Sequence, residues 1–201
     1  MAHQNLTTGS AISGLIGNVI CYEVNGQARF RCKPGKPKNP QTQGQLTQRM
    51  KFKLMQSLLK TMRPLLKEAF AGFPGAKNGY DSAMAYNLKM GLTGIHPNVE
   101  IQFDKTLISF GNIETPANPV ATKEGDVITI TWDKEKNSKN IDKIYPILVK
   151  TDLSYALHEI DGAYREEGSC SVLGEKNSTY HVWLMAKNNR NYSNSVYLGA
   201  I

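Results

Sequence analysis

Apolar and polar residues alternate on both sides of Asn25-Gly26, through Val19-Ile-Cys-Tyr-Glu-Val24 and Gln27-Ala-Arg-Phe-Arg-Cys32. Asn-Gly tolerates positive φ at both positions of a two-residue turn, so the pattern predicts a β-hairpin. In that register Val24 opposes Gln27, Tyr22 opposes Arg29, Ile20 opposes Arg31, Cys21 opposes Phe30 and Val19 opposes Cys32. One face then carries Val19, Cys21, Ala28, Phe30 and Cys32 and is expected to be buried. The other carries Ile20, Tyr22, Arg29 and Arg31, an aromatic and basic surface. Cys21 and Cys32 are diagonal neighbours, about 7–8 Å apart, beyond the reach of a disulfide. Both are expected to be free, buried thiols.

Lys33 to Pro40 holds three prolines in eight residues, which makes it an extended basic connector and no central strand. The period then changes. Leu46, Met50, Leu54, Leu58, Met62 and Leu65 recur every three or four residues, with Met55, Leu59 and Leu66 widening the stripe of an amphipathic helix. Thr42 is the expected N-cap, with Gln45 completing a capping-box pattern. Pro64 should end or kink the helix near Arg63, with a second piece running to Phe70. After a loop over 72–79, Asp81 is expected to cap a short helix from Ser82 to Met90, which Gly91 terminates.

From about Leu107 the period is two. Val127 to Trp132 alternates with Ile128, Ile130 and Trp132 on one face, Ile144 to Val149 puts Tyr145, Ile147 and Val149 on one face, Tyr180 to Ala186 alternates with Tyr180, Val182, Leu184 and Ala186, and Pro146 suggests a bulge or an edge. Shorter strand candidates are Leu107 to Phe110, Tyr155 to Ile160, Ser169 to Leu173 and Ser193 to Leu198. Many short strands separated by turn signals predict an antiparallel sandwich. His181, Trp183 and Met185 share the face opposite Tyr180 and Val182. These groups must be covered by the N-terminal half or by another subunit, so they form a candidate packing or assembly face. The predicted class is α+β: a basic hairpin-and-helix module over 1–104 and a β-sandwich over 105–201.

Composition sharpens this picture through charge. The 201 residues carry 24 Lys or Arg and 17 Asp or Glu, a net +7. Residues 1–98 hold 13 basic residues against three acids, a net +10, and the remainder holds 11 against 14, a net −3. Eleven basic residues and no acid lie between Arg29 and Lys67. Such asymmetry suggests that the first half faces something anionic or the acidic half of a neighbouring copy. Candidate residues are Tyr22, Arg29, Arg31, Lys33, Lys36, Lys38, Arg49 and Lys53. A hydrophobic fraction of 40% excludes wholesale disorder and collagen-like or coiled-coil chains. No apolar run approaches the roughly 20 residues of a membrane span, and no signal peptide is legible. The expected location is the cytoplasm, or a virion or secreted assembly.

Candidate chemistry is sparse. The sequence has no Gly-x-Ser-x-Gly elbow, no His-Glu-x-x-His helix and no Walker A loop. His3, His96, His158 and His181 are too dispersed for metal spacing. Cys170 reads as a small core residue. The expectation is a protein that is not an enzyme and uses no metal, cofactor or small-molecule substrate.

Two resemblances add to this reading. Ile128-Thr-Ile-Thr-Trp132, the Tyr145 strand and Tyr180-His-Val-Trp-Leu-Met-Ala186 leading into Ser193-Asn-Ser195 resemble a fibronectin type III or immunoglobulin-like domain over roughly residues 105–201. The whole chain resembles a family of uncharacterised proteins, about 200 residues long, from Bacteroidota and their phages. The residues that carry this second likeness are Ser13-Gly14, Gly17-Asn18, Arg31, Lys33-Pro34, Asn39-Pro40, Thr42, Gln45, Arg49 to Phe52, Ser109-x-Gly111, Trp132 and Ser193 to Gly199. It implies a two-part architecture and no catalytic residues. The expected function is a structural or interaction protein, part of a phage-like or secretion-type assembly, with protein partners or self-assembly. The alternative is nucleic-acid binding through the basic half by phosphate contacts and stacking.

Overall fold

The computed structural model describes residues 13–36, 39, 41–75, 78–134, 142–158, 160–189 and 191–201. Lys38 lies outside the described residues. The chain is α+β and divides into two compact units between Gln41 and Thr42.

In the first unit β1 (Gly14–Ile16), β2 (Val19–Val24) and β3 (Gln27–Cys32) form an antiparallel sheet in that order. Asn25 and Gly26 take φ of 52° and 76°, and the register is the one the alternation predicts, from Val24 opposite Gln27 to Val19 opposite Cys32. β1 is an addition. Gly17-Asn18 makes a second two-residue turn, with Gly17 at φ 58°, and sets Ile16 opposite Val19. The expected buried face is corrected. Cys21 is buried, but Val19, Ala28, Phe30 and Cys32 are exposed, Phe30 by 67%. Alternation fixes which side chains share a face; it does not supply a layer to cover them.

The second unit begins with α1 (Gln43–Lys60), where the Thr42 hydroxyl accepts from the Gln45 amide at 3.4 Å. A turn at Thr61 and Met62 follows, and α2 (Arg63–Ala69) places Pro64 in its first turn, where a missing N–H is harmless. α3 (Gly79–Met90) is capped by Asn78 and not by Asp81: Asn78 Oδ1 accepts from the Asp81 amide at 3.0 Å. Gly91 ends the helix as expected, and β4 (Leu92–Ile95) and β5 (Asn98–Ile101) form a hairpin after it.

The remaining strands are β6 (Val120–Glu124), β7 (Val127–Thr131), β8 (Lys143–Lys150), β9 (Ala156–Leu157), β10 (Ala163–Tyr164), β11 (Ser169–Leu173), β12 (Tyr180–Asn188), β13 (Asn191–Tyr192) and β14 (Val196–Ala200). One antiparallel sheet runs β11-β7-β6. The other runs β10-β8-β12-β13, with β9 added to β8 and β14 to β12. Their inner faces enclose Ile128, Ile130, Trp132, Ile144, Leu148, Tyr180, Val182 and Leu184. This is the layered logic of a β-sandwich.

β8 lies inside its sheet, so Pro146 marks no edge. It falls between two short partners, β10 at residues 143–144 and β9 at 148–149, where no ladder bond is required on that side. The outer face of the β8–β12 pair carries Ile147, Val149, Trp183 and Met185. These pack in one cluster with Met55, Leu58, Leu59, Met62, Leu66 and Phe70 of the helical layer. The His181, Trp183 and Met185 face is therefore a packing face within the chain. A boundary at 104/105 would cut this cluster in two.

One strand expectation gives way to a latch and another shortens. Leu107 to Phe110 forms no strand: its first amides bond to side chains, while the Phe110 amide donates to the Ala69 carbonyl at 3.0 Å and the Ser109 carbonyl accepts from the Ser195 amide at 3.2 Å. Asn87 bridges the Leu107 amide and carbonyl at 2.9 and 2.8 Å, Ser195 Oγ accepts from the Ile108 amide at 2.8 Å, and Ser109 Oγ donates to the Ser193 carbonyl at 2.8 Å. Ser193 Oγ in turn accepts from the Ala186 amide at 2.8 Å. Gly111 sits so close to the Tyr192 backbone that a Cβ would lie 1.9 Å from its carbonyl oxygen, which explains why glycine stands there. The Tyr155 to Ile160 candidate shrinks to β9.

Candidate functional site

The N-terminal sheet gathers the strongest chemistry of the basic half. Paired residues of antiparallel strands share a face, so Leu15, Ile20, Tyr22, Val24, Arg29 and Arg31 stand on one side. Tyr22 is half-buried and the Arg31 guanidinium lies 5.5 Å from its ring centroid, a cation–π contact. Arg29, Arg31, Lys33 and Lys36 are exposed. The opposite side carries Ile16, Val19, Cys21, Phe30 and Cys32. Leu15, Ile16, Val19, Val24 and Phe30 are all exposed large hydrophobics, an unusual concentration for a sheet of three short strands.

The structure thus brings Tyr22, Arg29 and Arg31 together and carries the charge on through Lys33, whose amide donates to the Asn18 carbonyl at 2.7 Å. Arg49 and Lys53 are exposed on α1, in the other unit. The apolar part of this surface is not legible in the alternation, which places Phe30 and Val19 on the face expected to be buried. The Gly17-Asn18 pair was the available signal for β1.

Two further constellations lie in the second unit. Phe103 stacks on His181 with ring centroids 3.6 Å apart, and His181 Nδ1 meets the Tyr197 hydroxyl at 2.7 Å. Burial lowers the His181 pKa and raises that of Tyr197, the latter helped by Asp104. The unfolded chain, with an ordinary histidine near 6.5, therefore takes up a proton more readily than the folded one. Stability from this site is complete above that value and declines as pH falls through it. Thermal melts of the parent protein should drop between about pH 7.5 and 5.5 by more than those of His181→Phe, which keeps the stacking and loses the titration. Equal drops would remove His181 as the cause.

The second constellation ties the helical layer to the sheet. The Tyr192 hydroxyl donates to Glu68 at 3.1 Å, Lys187 Nζ lies 3.6 Å from the same carboxylate, and that ammonium stands 5.1 Å from the Tyr192 ring centroid. The Tyr192 pKa is raised, chiefly by burial, and that of Lys187 is raised, chiefly by its bond to Tyr192. Glu68, Phe110, Gly111, Asn191 and Tyr192 line a cleft of about 320 Å³. Burial, with Glu167 nearby, pushes the Cys170 thiol up to about 11. Among the described residues no three His, Cys, Asp or Glu side chains converge into a metal-binding set, and no helix is long and apolar enough to cross a membrane.

Fold and surface together define an α+β protein in which a helix-backed antiparallel β-sandwich accompanies a small, basic, solvent-facing sheet. The chain belongs to the Family of unknown function (DUF6266), whose model matches residues 11–199. Among solved structures it is similar to the crystal structure of chicken CNTN1 FN1-FN3 domains, at 16% identity and a TM-score of 0.37, over 46% of this chain and 32% of that one. No curated protein matches the sequence.

Proposed function

We propose that the protein is a non-enzymatic structural or interaction protein that engages another protein through its N-terminal sheet. The supporting observation is the sheet itself: one face joins Tyr22 to Arg29 and Arg31, and the other exposes Phe30 beside Val19. A solvated surface strand ordinarily pairs one polar face with one covered face. A sheet that leaves apolar residues exposed on both faces resembles half of an interface. Membership of a phage-like or secretion-type assembly in Bacteroidota is the biological setting this reading favours.

Nucleic acid would use the Tyr22, Arg29 and Arg31 face alone and leave Phe30 idle, so protein is preferred. A photo-reactive amino acid replacing Phe30 in the full chain, expressed in its own cells, separates the two. The expected result is a cross-link to a discrete protein from position 30 and none from a control at Gln48 on α1. Cross-links to nucleic acid only, or none, would overturn the proposal.

A further inference from the structure

Among the described residues the outer edge of β3 is open along its whole length. The residues flanking the Asn25-Gly26 turn form a hydrogen-bonded pair, and such pairs alternate along an antiparallel ladder. Gln27, Arg29 and Arg31 therefore direct their amides and carbonyls to β2, a pattern that the Lys33-to-Asn18 bond continues. Ala28, Phe30 and Cys32 direct theirs away from β2. Among the described residues no strand pairs with that edge, and all six residues of β3 are exposed. Sheets guard their edges with bulges, prolines, shortness or charge. β3 is as long as β2, its register has no bulge, and its first proline comes two residues after it ends. Charge is its one guard: Arg29 and Arg31 stand on β3 as Lys123 and Glu124 stand on the edge strand β6, where Lys123 Nζ is bonded to the Ser178 carbonyl.

Charge selects the occupant. A second copy added antiparallel about Phe30 would set Arg29 of one chain opposite Arg31 of the other and bring four guanidiniums onto one face, which is repulsive. An acidic strand in the same place would satisfy them. We infer that the β3 edge receives an extended acidic segment of a partner protein by strand addition, its apolar residues on the Phe30 face and its carboxylates on the Arg29 and Arg31 face. This rests on the reading of the sheet as a protein-binding surface and adds how the partner is held.

The test uses the full chain and a short capped peptide alternating valine and glutamate, followed by fluorescence anisotropy. Binding is expected. It should fall at least about tenfold when the peptide amides of one edge are N-methylated, since several ladder bonds are lost together. The double variant Arg29→Glu, Arg31→Glu should bind the lysine version of the peptide in preference to the glutamate one. Ala28→Pro, which removes only an outward N–H, should lose binding while its circular dichroism and melting curve stay those of the parent. Equal affinity for lysine and glutamate peptides, indifference to N-methylation, or absence of peptide binding would overturn the inference. So would a dimer of the parent chain in light scattering that Ala28→Pro abolishes, or a single-stranded oligonucleotide that binds in place of the peptide. Peptide failure with protein cross-links from position 30 intact would remove strand addition and spare the broader reading; loss of those cross-links removes the broader reading.

Discussion

Trp183→Ala is expected to lower the unfolding free energy by about 3–5 kcal/mol, the usual range for truncating a buried tryptophan. Trp183 is fully buried, its indole N–H donates to the Thr106 carbonyl at 3.2 Å, and Phe103 and Tyr197 pack on it with centroids 6.0 and 5.0 Å away. Removing it opens a cavity where the helical layer meets the β8–β12 face and strands a carbonyl. Denaturant titration followed by circular dichroism is the direct measurement. A loss below about 1 kcal/mol would mean that this face is not the shared core described above.

The second large effect is expected at the Arg165–Asp142 pair. Arg165 Nη2 lies 3.4 Å from Asp142 Oδ2 and also donates to the Glu114 carbonyl, both side chains are almost wholly buried, and the Trp132 indole donates to the Arg165 carbonyl at 2.8 Å. Asp142→Ala leaves a guanidinium charge inside the protein and should cost about 3–5 kcal/mol. Replacing both partners, as Asp142→Leu with Arg165→Met, should recover most of that loss, because apolar groups need no counter-charge. A double variant as unstable as the single one would show that the remaining bonds of Arg165, and not its charge, hold the loop.

These residues also mark the limits of what could be read from the chain. The hairpin register was legible because Asn25-Gly26 admits one turn geometry, and α1 because its apolar period runs through five turns behind a Thr42 cap. The cap of α3 was not: Asn78 and Asp81 are both competent, three residues apart, and the choice depends on the loop that delivers them. Leu107 to Phe110 is apolar enough for a strand, yet its bonds go to Ala69, Asn87, Ser193 and Ser195, which no local pattern announces. Trp183 and Met185 were recognised as needing cover, and the helical layer supplies it. The shared face of Tyr22, Arg29 and Arg31 is legible from register, whereas the exposure of Phe30 is not, because coverage is a tertiary property.

The shared core also sets an order of events during synthesis. Leu66 leaves the ribosome 117 residues before Trp183, so at about 5–20 residues per second the apolar stripe of α1 and α2 waits roughly 6–23 seconds for the strand that shields it. During that interval Met55, Leu58, Leu59 and Met62 lack the strand face that covers them in the finished fold, so the nascent chain is most open to aggregation before β12 emerges.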